Sequence, residues 1–308
     1  MRWPLREEEL PRGYRLSRGR AGVLAFDANA ESLLHSGGFG PEGGERLSES
    51  EFTGRRPLGV ITSAGPPRER LVVRSFHHGG FFRWLGPFFY LDPRRPFHEL
   101  SLADELERLG IRTPRVVAAR ARRSSAGAAF GWQLDLVTRA VEGCMDGAQA
   151  LERLRRGELS CAQRQLLFRS AGTLIGRLHR VGFLHHDLHP RNLLFGAALE
   201  EEGDTWVLDL DRSSFVRGGL SEGLRWDNLG RMWRWLRRKE KRVGLLLSRA
   251  DLGRFLRAYE REVGEREGWK RVWRGVWRRG QRVRLFHQAG WLLEGCLGIG
   301  HERHDGRE

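Results

Sequence analysis

The chain has 308 residues, enough to bury a substantial core in one large or two modest domains. Its 54 Lys and Arg against 39 Asp and Glu give a formal charge of +15, which implies an anionic partner or surface: nucleic acid, an anionic membrane or a phosphorylated substrate. Cys144, Cys161 and Cys296 are few, odd in number and widely spaced with no CxxC pair, which points to a reduced cytosolic compartment rather than a disulfide-stapled fold.

The opening MRWPLREEELPRG lacks the apolar centre of a signal peptide, and no apolar run is long enough to span a bilayer, so a soluble or peripheral protein is expected. Lys239, Lys241 and Lys270 are the only lysines, a bias that arginine-rich codon usage explains. It still has a chemical consequence. Any phosphate contact upstream of residue 239 must come from arginine, whose planar fork binds oxyanions bidentately.

Residues 1–50 are polar and Gly-rich, with Val23-Leu24-Ala25-Phe26 as a marginal strand, and receive no assigned fold or chemistry. Thr53-Gly54-Arg55-Arg56-Pro57 contains a glycine but not GxGxxG. Leu58–Thr62 and Arg70–Phe76 are β-branched runs split by the turn signal Ser63-Ala64-Gly65-Pro66-Pro67, and predict adjacent strands with Arg74 near the end of the second. The aromatic run from His77 to Leu91 is broken by Arg83, Gly86 and Pro87, and reads as a buried strand-turn-strand or as a flap over membrane or substrate.

Leu100, Leu102, Ala103, Leu106 and Leu109 recur at helical spacing and predict a helix from Phe97 that Gly110 ends, with Glu99 in its first turn. Val116–Ala119 and Trp132–Thr138 predict two further strands. After Gly143 helical signals dominate, which places a domain boundary near residue 140, and the spacing of Leu166, Leu167, Leu174, Ile175 and Leu178 predicts a long helix over 161–180. His179 near its end reads as a structural hydrogen-bonder or helix-end cation.

The chemistry concentrates in His185-His186-Asp187-Leu188-His189-Pro190-Arg191-Asn192, followed by Leu193-Leu194-Phe195 and Trp206-Val207-Leu208-Asp209-Leu210-Asp211. HxDLxxxN followed by an Asp on a second short strand is the phosphoryl-transfer pattern. In that pattern Asp187 meets a substrate hydroxyl while Asn192 and Asp209 face a divalent cation. Asp211, two residues along, is expected on the same strand face as Asp209, as a second or outer ligand. His185 reads as an orienting residue, and His186 and His189 as loop surface or substrate contacts. A zinc site is disfavoured, because the histidines sit in an extended, proline-containing turn with no cysteine nearby.

Arg74 followed by HHGG, Pro96-Phe97-His98-Glu99-Leu100, the GIRTPRVVAA segment from Gly110, Asp135-Leu136-Val137-Thr138, HHDLHPRNLL and LDLDRS together resemble the lipopolysaccharide Kdo kinases and the related heptose kinases, over about residues 54–240. The resemblance implies an α+β, two-lobed protein-kinase-like fold: an N-lobe over 51–140, a helical C-lobe over 141–300 and a tail over 301–308. It also implies ATP and Mg²⁺, with Asp187 as catalytic base, Asn192 and Asp209 as metal ligands, and Arg74 with Glu99 as the nucleotide-phosphate clamp. The expected acceptor is a lipid-linked sugar of the Kdo-lipid A type, at the cytoplasmic side of the inner membrane. His189 stands where the family has Asn, and Pro190 follows it.

A heptose kinase, another small-molecule or protein kinase of this fold, or a non-catalytic kinase-like binding module are the alternatives. The intact Asp187, Asn192 and Asp209 speak against the last. Toward the C-terminus, Trp269, Val272, Trp273, Val276 and Trp277 share one helical face among arginines. That face either packs on the second lobe or rests on an anionic bilayer. No RNA-binding motif accompanies it, so nucleic acid is not the expected partner.

Overall fold

Residues near the N-terminus start the larger sheet of the computed structural model, which describes residues 3–43, 48–49, 59–62, 69–76, 90–123, 131–264, 270–276 and 278. Strand β1 (Tyr14–Arg18) pairs antiparallel with β2 (Gly22–Asp27). They are joined by β3 (Ser48–Glu49), β4 (Gly59–Thr62), β5 (Arg70–Ser75), β6 (Val116–Arg123) and β7 (Trp132–Arg139) in a seven-stranded sheet of order β1-β2-β6-β7-β5-β4-β3.

Every residue of β2 is buried, because the sheet is covered on both faces. Leu24 and Phe26 pack with Leu34 of helix α1 (Glu31–Ser36) and with Phe39; Val23 and Ala25 face the core that contains Phe97, Leu100 and Leu106 of helix α2 (Arg95–Arg108). Burying a leucine or phenylalanine this fully contributes about 2 kcal/mol each. A strand covered on both faces carries no polar alternation, which is why Val23–Phe26 reads from sequence as no more than a marginal strand.

The second half begins with β8 (Cys144–Asp146), α3 (Gly147–Arg155) and α4 (Cys161–Arg180). Asp146 and Ser160 close capping boxes with Gln149 and Gln163, which satisfy the first free N–H groups of these helices. Strands β9 (Phe183–Leu184), β10 (Leu193–Gly196), β11 (Thr205–Val207) and β12 (Ser214–Phe215) follow, then α5 (Glu222–Val243) and α6 (Arg249–Val263). A small sheet of order β11-β10-β8 carries the HHDLHPRN loop, and β9 pairs with β12 beside it.

Helices α4 and α6 pack closely because Gly172 and Gly176 line their contact. A Cβ on Gly176 would come within 2.9 Å of the Tyr259 carbonyl oxygen. In the helical residues 270–276, Val272 and Val276 are buried and Trp273 meets Trp233 edge-on at 4.5 Å, so this part of the tryptophan face packs inward. Trp269 and Trp277, the Thr53–Pro57 segment and residues 77–89 of the aromatic run lie outside the described residues.

Candidate active site

The HHDLHPRN loop is tied down at both ends. Buried His185 donates its Nε2–H to the Leu208 carbonyl (2.8 Å), and its own carbonyl accepts from Asn228 Nδ2 on α5 (2.7 Å). Burial lowers the His185 imidazole pKa, so the ring is neutral. At the other end Asn192 donates Nδ2–H to the Asp187 carbonyl (2.9 Å), and the Leu208 N–H returns to the Asn192 carbonyl (2.9 Å). With the amide nitrogen committed, the amide oxygen of Asn192 is the side-chain atom left for a further contact.

Leu188 is buried as an anchor, while the Asp187 side chain stays 47% exposed. Gly147, the first residue of α3, lies directly against the loop: a Cβ there would come 2.6 Å from the Pro190 carbonyl oxygen. His186 is exposed, and its N–H reaches Ser213 Oγ (3.0 Å). His189 is buried instead. Its Nε2 lies 3.4 Å from Asp187 Oδ2 and its ring stacks on Trp235 at 6.2 Å and 28°.

A second cluster faces this loop. Arg74 on β5 spans two carboxylates, donating Nη2–H to Glu99 Oε2 on α2 (2.5 Å) and Nη1–H to Asp209 Oδ1 (2.6 Å). The Leu210 N–H donates to the other Glu99 oxygen (3.1 Å), so Glu99 braces both the arginine and the turn that bears Asp209. Burial opposes the Arg74 charge, but the fields and hydrogen bonds of Glu99 and Asp209 overcome it and hold the guanidinium above its ordinary pKa. Burial pushes the Glu99 carboxyl up to about 7; Arg74 opposes this and the Asp209 and Asp211 charges add to it. Arg74 is therefore the securely charged member, and Glu99 the conditional one.

The expected shared strand face for Asp209 and Asp211 is not what forms. β11 ends at Val207 and Asp209 lies in the left-handed region (φ +55°), so period-two alternation no longer applies. Asp211 turns instead to Arg95, whose Nε–H donates to Oδ1 (3.1 Å) and whose Nη2 contacts Oδ2, while the guanidinium lies over the Tyr90 ring at 4.6 Å. Arg95, hidden before Pro96 at the start of α2, carried no sequence signal of this role.

Behind the loop, His179 bridges Asn228 Oδ1 (Nε2, 3.0 Å) and Tyr259 Oη (Nδ1, 2.9 Å). Because Asn228 spends its amide N–H on His185, its oxygen must accept, so His179 Nε2 donates and Nδ1 accepts from the tyrosine hydroxyl. Burial lowers His179 to about 4 and keeps it neutral. Asn228 and Trp235 were not foreseen. The only hint of Asn228 was a polar residue beside the apolar stripe Leu229, Met232 and Leu236, and its partner lies 43 residues upstream.

A family model described as "Lipopolysaccharide kinase (Kdo/WaaP) family" matches residues 79–259, more than half of the chain. The 3-deoxy-D-manno-octulosonic acid kinase of Actinobacillus succinogenes is 27% identical over 193 residues, spanning 61% of this chain and 75% of that protein. The enzymes of that name from Vibrio vulnificus (26% over 198 residues, 63% and 76%) and Xanthomonas oryzae pv. oryzae (29% over 204 residues, 65% and 74%) are similar. Among solved structures, "WaaP in complex with acyl carrier protein" superposes with a TM-score of 0.50 at 18% identity, over 77% of this chain and 87% of that one. That likeness supports the two-lobed, protein-kinase-like reading of the fold, with the seven-stranded sheet as the β-rich lobe. The chain belongs to the lipopolysaccharide kinase (Kdo/WaaP) family and is a phosphotransferase that uses ATP and acts on a sugar hydroxyl.

Proposed function

We propose that this enzyme transfers the γ-phosphoryl group of ATP to a hydroxyl of Kdo linked to lipid A, working peripherally at the cytoplasmic side of the inner membrane. The observation that carries the reading is Arg74 bridging Glu99 and Asp209 in front of a loop in which Asn192 fixes Asp187. Asp187 accepts a hydrogen bond from the acceptor hydroxyl and takes its proton as the oxygen bonds to the γ-phosphorus and the bond to the ADP oxygen breaks. His185 holds the loop against Leu208 and does not itself meet the substrate.

Arg74 offers its fork to the nucleotide phosphates, with Glu99 setting its direction. The neighbourhood of Arg74 and Arg95 holds three carboxylates, Glu99, Asp209 and Asp211, a surplus of negative charge where phosphates must also sit. Oxygen donors and that surplus fit Mg²⁺, held by Asn192 and Asp209 together with the nucleotide, with Asp211 in an outer position bracing the turn through Arg95. When bound there, Mg²⁺ would supply the positive charge that offsets the phosphate charge.

The acceptor is tested by supplying labelled ATP with lipid A precursors that end in Kdo or in heptose. Label entering the Kdo acceptor is the expected result. Label entering only the heptose acceptor would replace the sugar while keeping the reaction, and no label in either would overturn the lipopolysaccharide-kinase reading.

A further inference from the structure

Along the second half of α5, Arg231, Arg234 and Arg238 follow one another at three- and four-residue intervals, with Lys241 and Arg242 three and four residues beyond Arg238, so they share one strip of the helix. At about 100° per residue this strip lies opposite the buried Leu229, Met232 and Leu236. Arg231, Arg237, Arg238, Lys241 and Arg242 are exposed, and Glu240 is the one carboxylate between residues 231 and 243. Among the described residues, Arg231, Arg234, Arg238, Lys239, Lys241 and Arg242 make no ion pair. Elsewhere arginines such as Arg155, Arg156 and Arg108 do.

Helix-dipole complementarity accounts for Lys241 and Arg242 in the last turn only. Arg231, Arg234 and Arg238 stand earlier and repel one another; burial, then the charges of Arg231 and Arg238, lower the Arg234 pKa against the pull of Asp227. Just past the helix, Leu245 is 79% exposed beside these cations. Asn228 and Trp235, which brace the catalytic loop, lie on the flank between the cationic strip and the buried face.

We infer that the Arg231, Arg234 and Arg238 strip, with Leu245, is the surface by which the enzyme docks on an anionic lipid bilayer. This inference rests on the peripheral, lipid-linked-acceptor reading above, and it names the element that makes the contact. The cations meet lipid phosphates, Leu245 enters the headgroup boundary, and the same helix holds the catalytic loop a quarter-turn away, beside the membrane where a lipid-linked sugar emerges.

The full-length enzyme is sedimented with phosphatidylcholine vesicles with and without phosphatidylglycerol. Wild type should bind only the anionic vesicles, and less so as salt rises. Arg231→Gln/Arg234→Gln/Arg238→Gln should lower the partition coefficient about 100-fold, about fivefold per cation removed. A control, Arg108→Gln/Arg155→Gln/Arg156→Gln, removes the same charge from ion-paired positions and should bind within about threefold of wild type. Equal losses in both triples would overturn the site in favour of net charge. So would wild-type binding by the α5 triple, or loss of single-stranded oligonucleotide binding with vesicle binding intact. Wild-type turnover on a deacylated, soluble acceptor reports on the kinase reading separately, so failure of either is told apart.

Discussion

The two halves of the proposed active site are held by opposite kinds of bond. Around Arg74, charge does the holding: a strand, a helix and a left-handed turn meet through one guanidinium and two carboxylates. Around His185, neutral groups do it, with Tyr259, His179, Asn228 and the Leu208 carbonyl linked in a chain that carries no net charge. A neutral network holds no charge for an entering ligand to unbalance, although His185 Nδ1 has no partner in it, whereas partly buried ions answer to every charge that enters. The loop bearing Asp187 is thus assembled in advance, and on the proposed function the Arg74 side is the half whose charge balance would change on nucleotide binding.

The largest effect should come from the chemistry that the neutral half positions. Asp187→Asn should lower kcat about 1,000-fold. Because this side chain is half-exposed, the melting temperature should hold. A matching fall in melting temperature would show that the loop is not independently held.

The comparison also predicts opposite pH signs. His179 titrates near 6.5 unfolded but near 4 folded, so below pH 6.5 the unfolded chain takes up a proton that the folded one refuses. Its contribution to stability is lost as pH falls from 6.5 to 4, by about 3 kcal/mol at the acid end. Glu99 runs the other way. Its carboxyl is raised from 4.5 to about 7, so its contribution is lost as pH rises through that window. Denaturant titrations of wild type against His179→Gln and against Glu99→Gln should give difference curves of opposite slope between pH 4 and pH 7. Parallel slopes would dissolve the distinction between the halves.

What the sequence disclosed follows the reach of each bond. Asp187 and Asn192 were legible because their mutual support spans five residues of one loop. The Arg74 to Glu99 pair, expected from the family resemblance, is present at 2.5 Å. Asp211 was misjudged because strand periodicity was carried past Val207, where the chain turns left-handed. Asn228 and Trp235 escaped notice because a helix residue says nothing of a loop more than forty residues away. Of the N-terminal strands, β2 was legible only as the marginal strand Val23–Phe26, because it is buried on both faces and shows no alternation.

Steady-state kinetics of Arg74→Ala with varied ATP tests the central claim most directly. The fork shared between Glu99 and Asp209 should make kcat/KM for ATP fall about 100-fold, with Arg74→Lys recovering only part because a point charge does not span both carboxylates. Wild-type kcat/KM in Arg74→Ala would contradict the account and remove Arg74 from the nucleotide site.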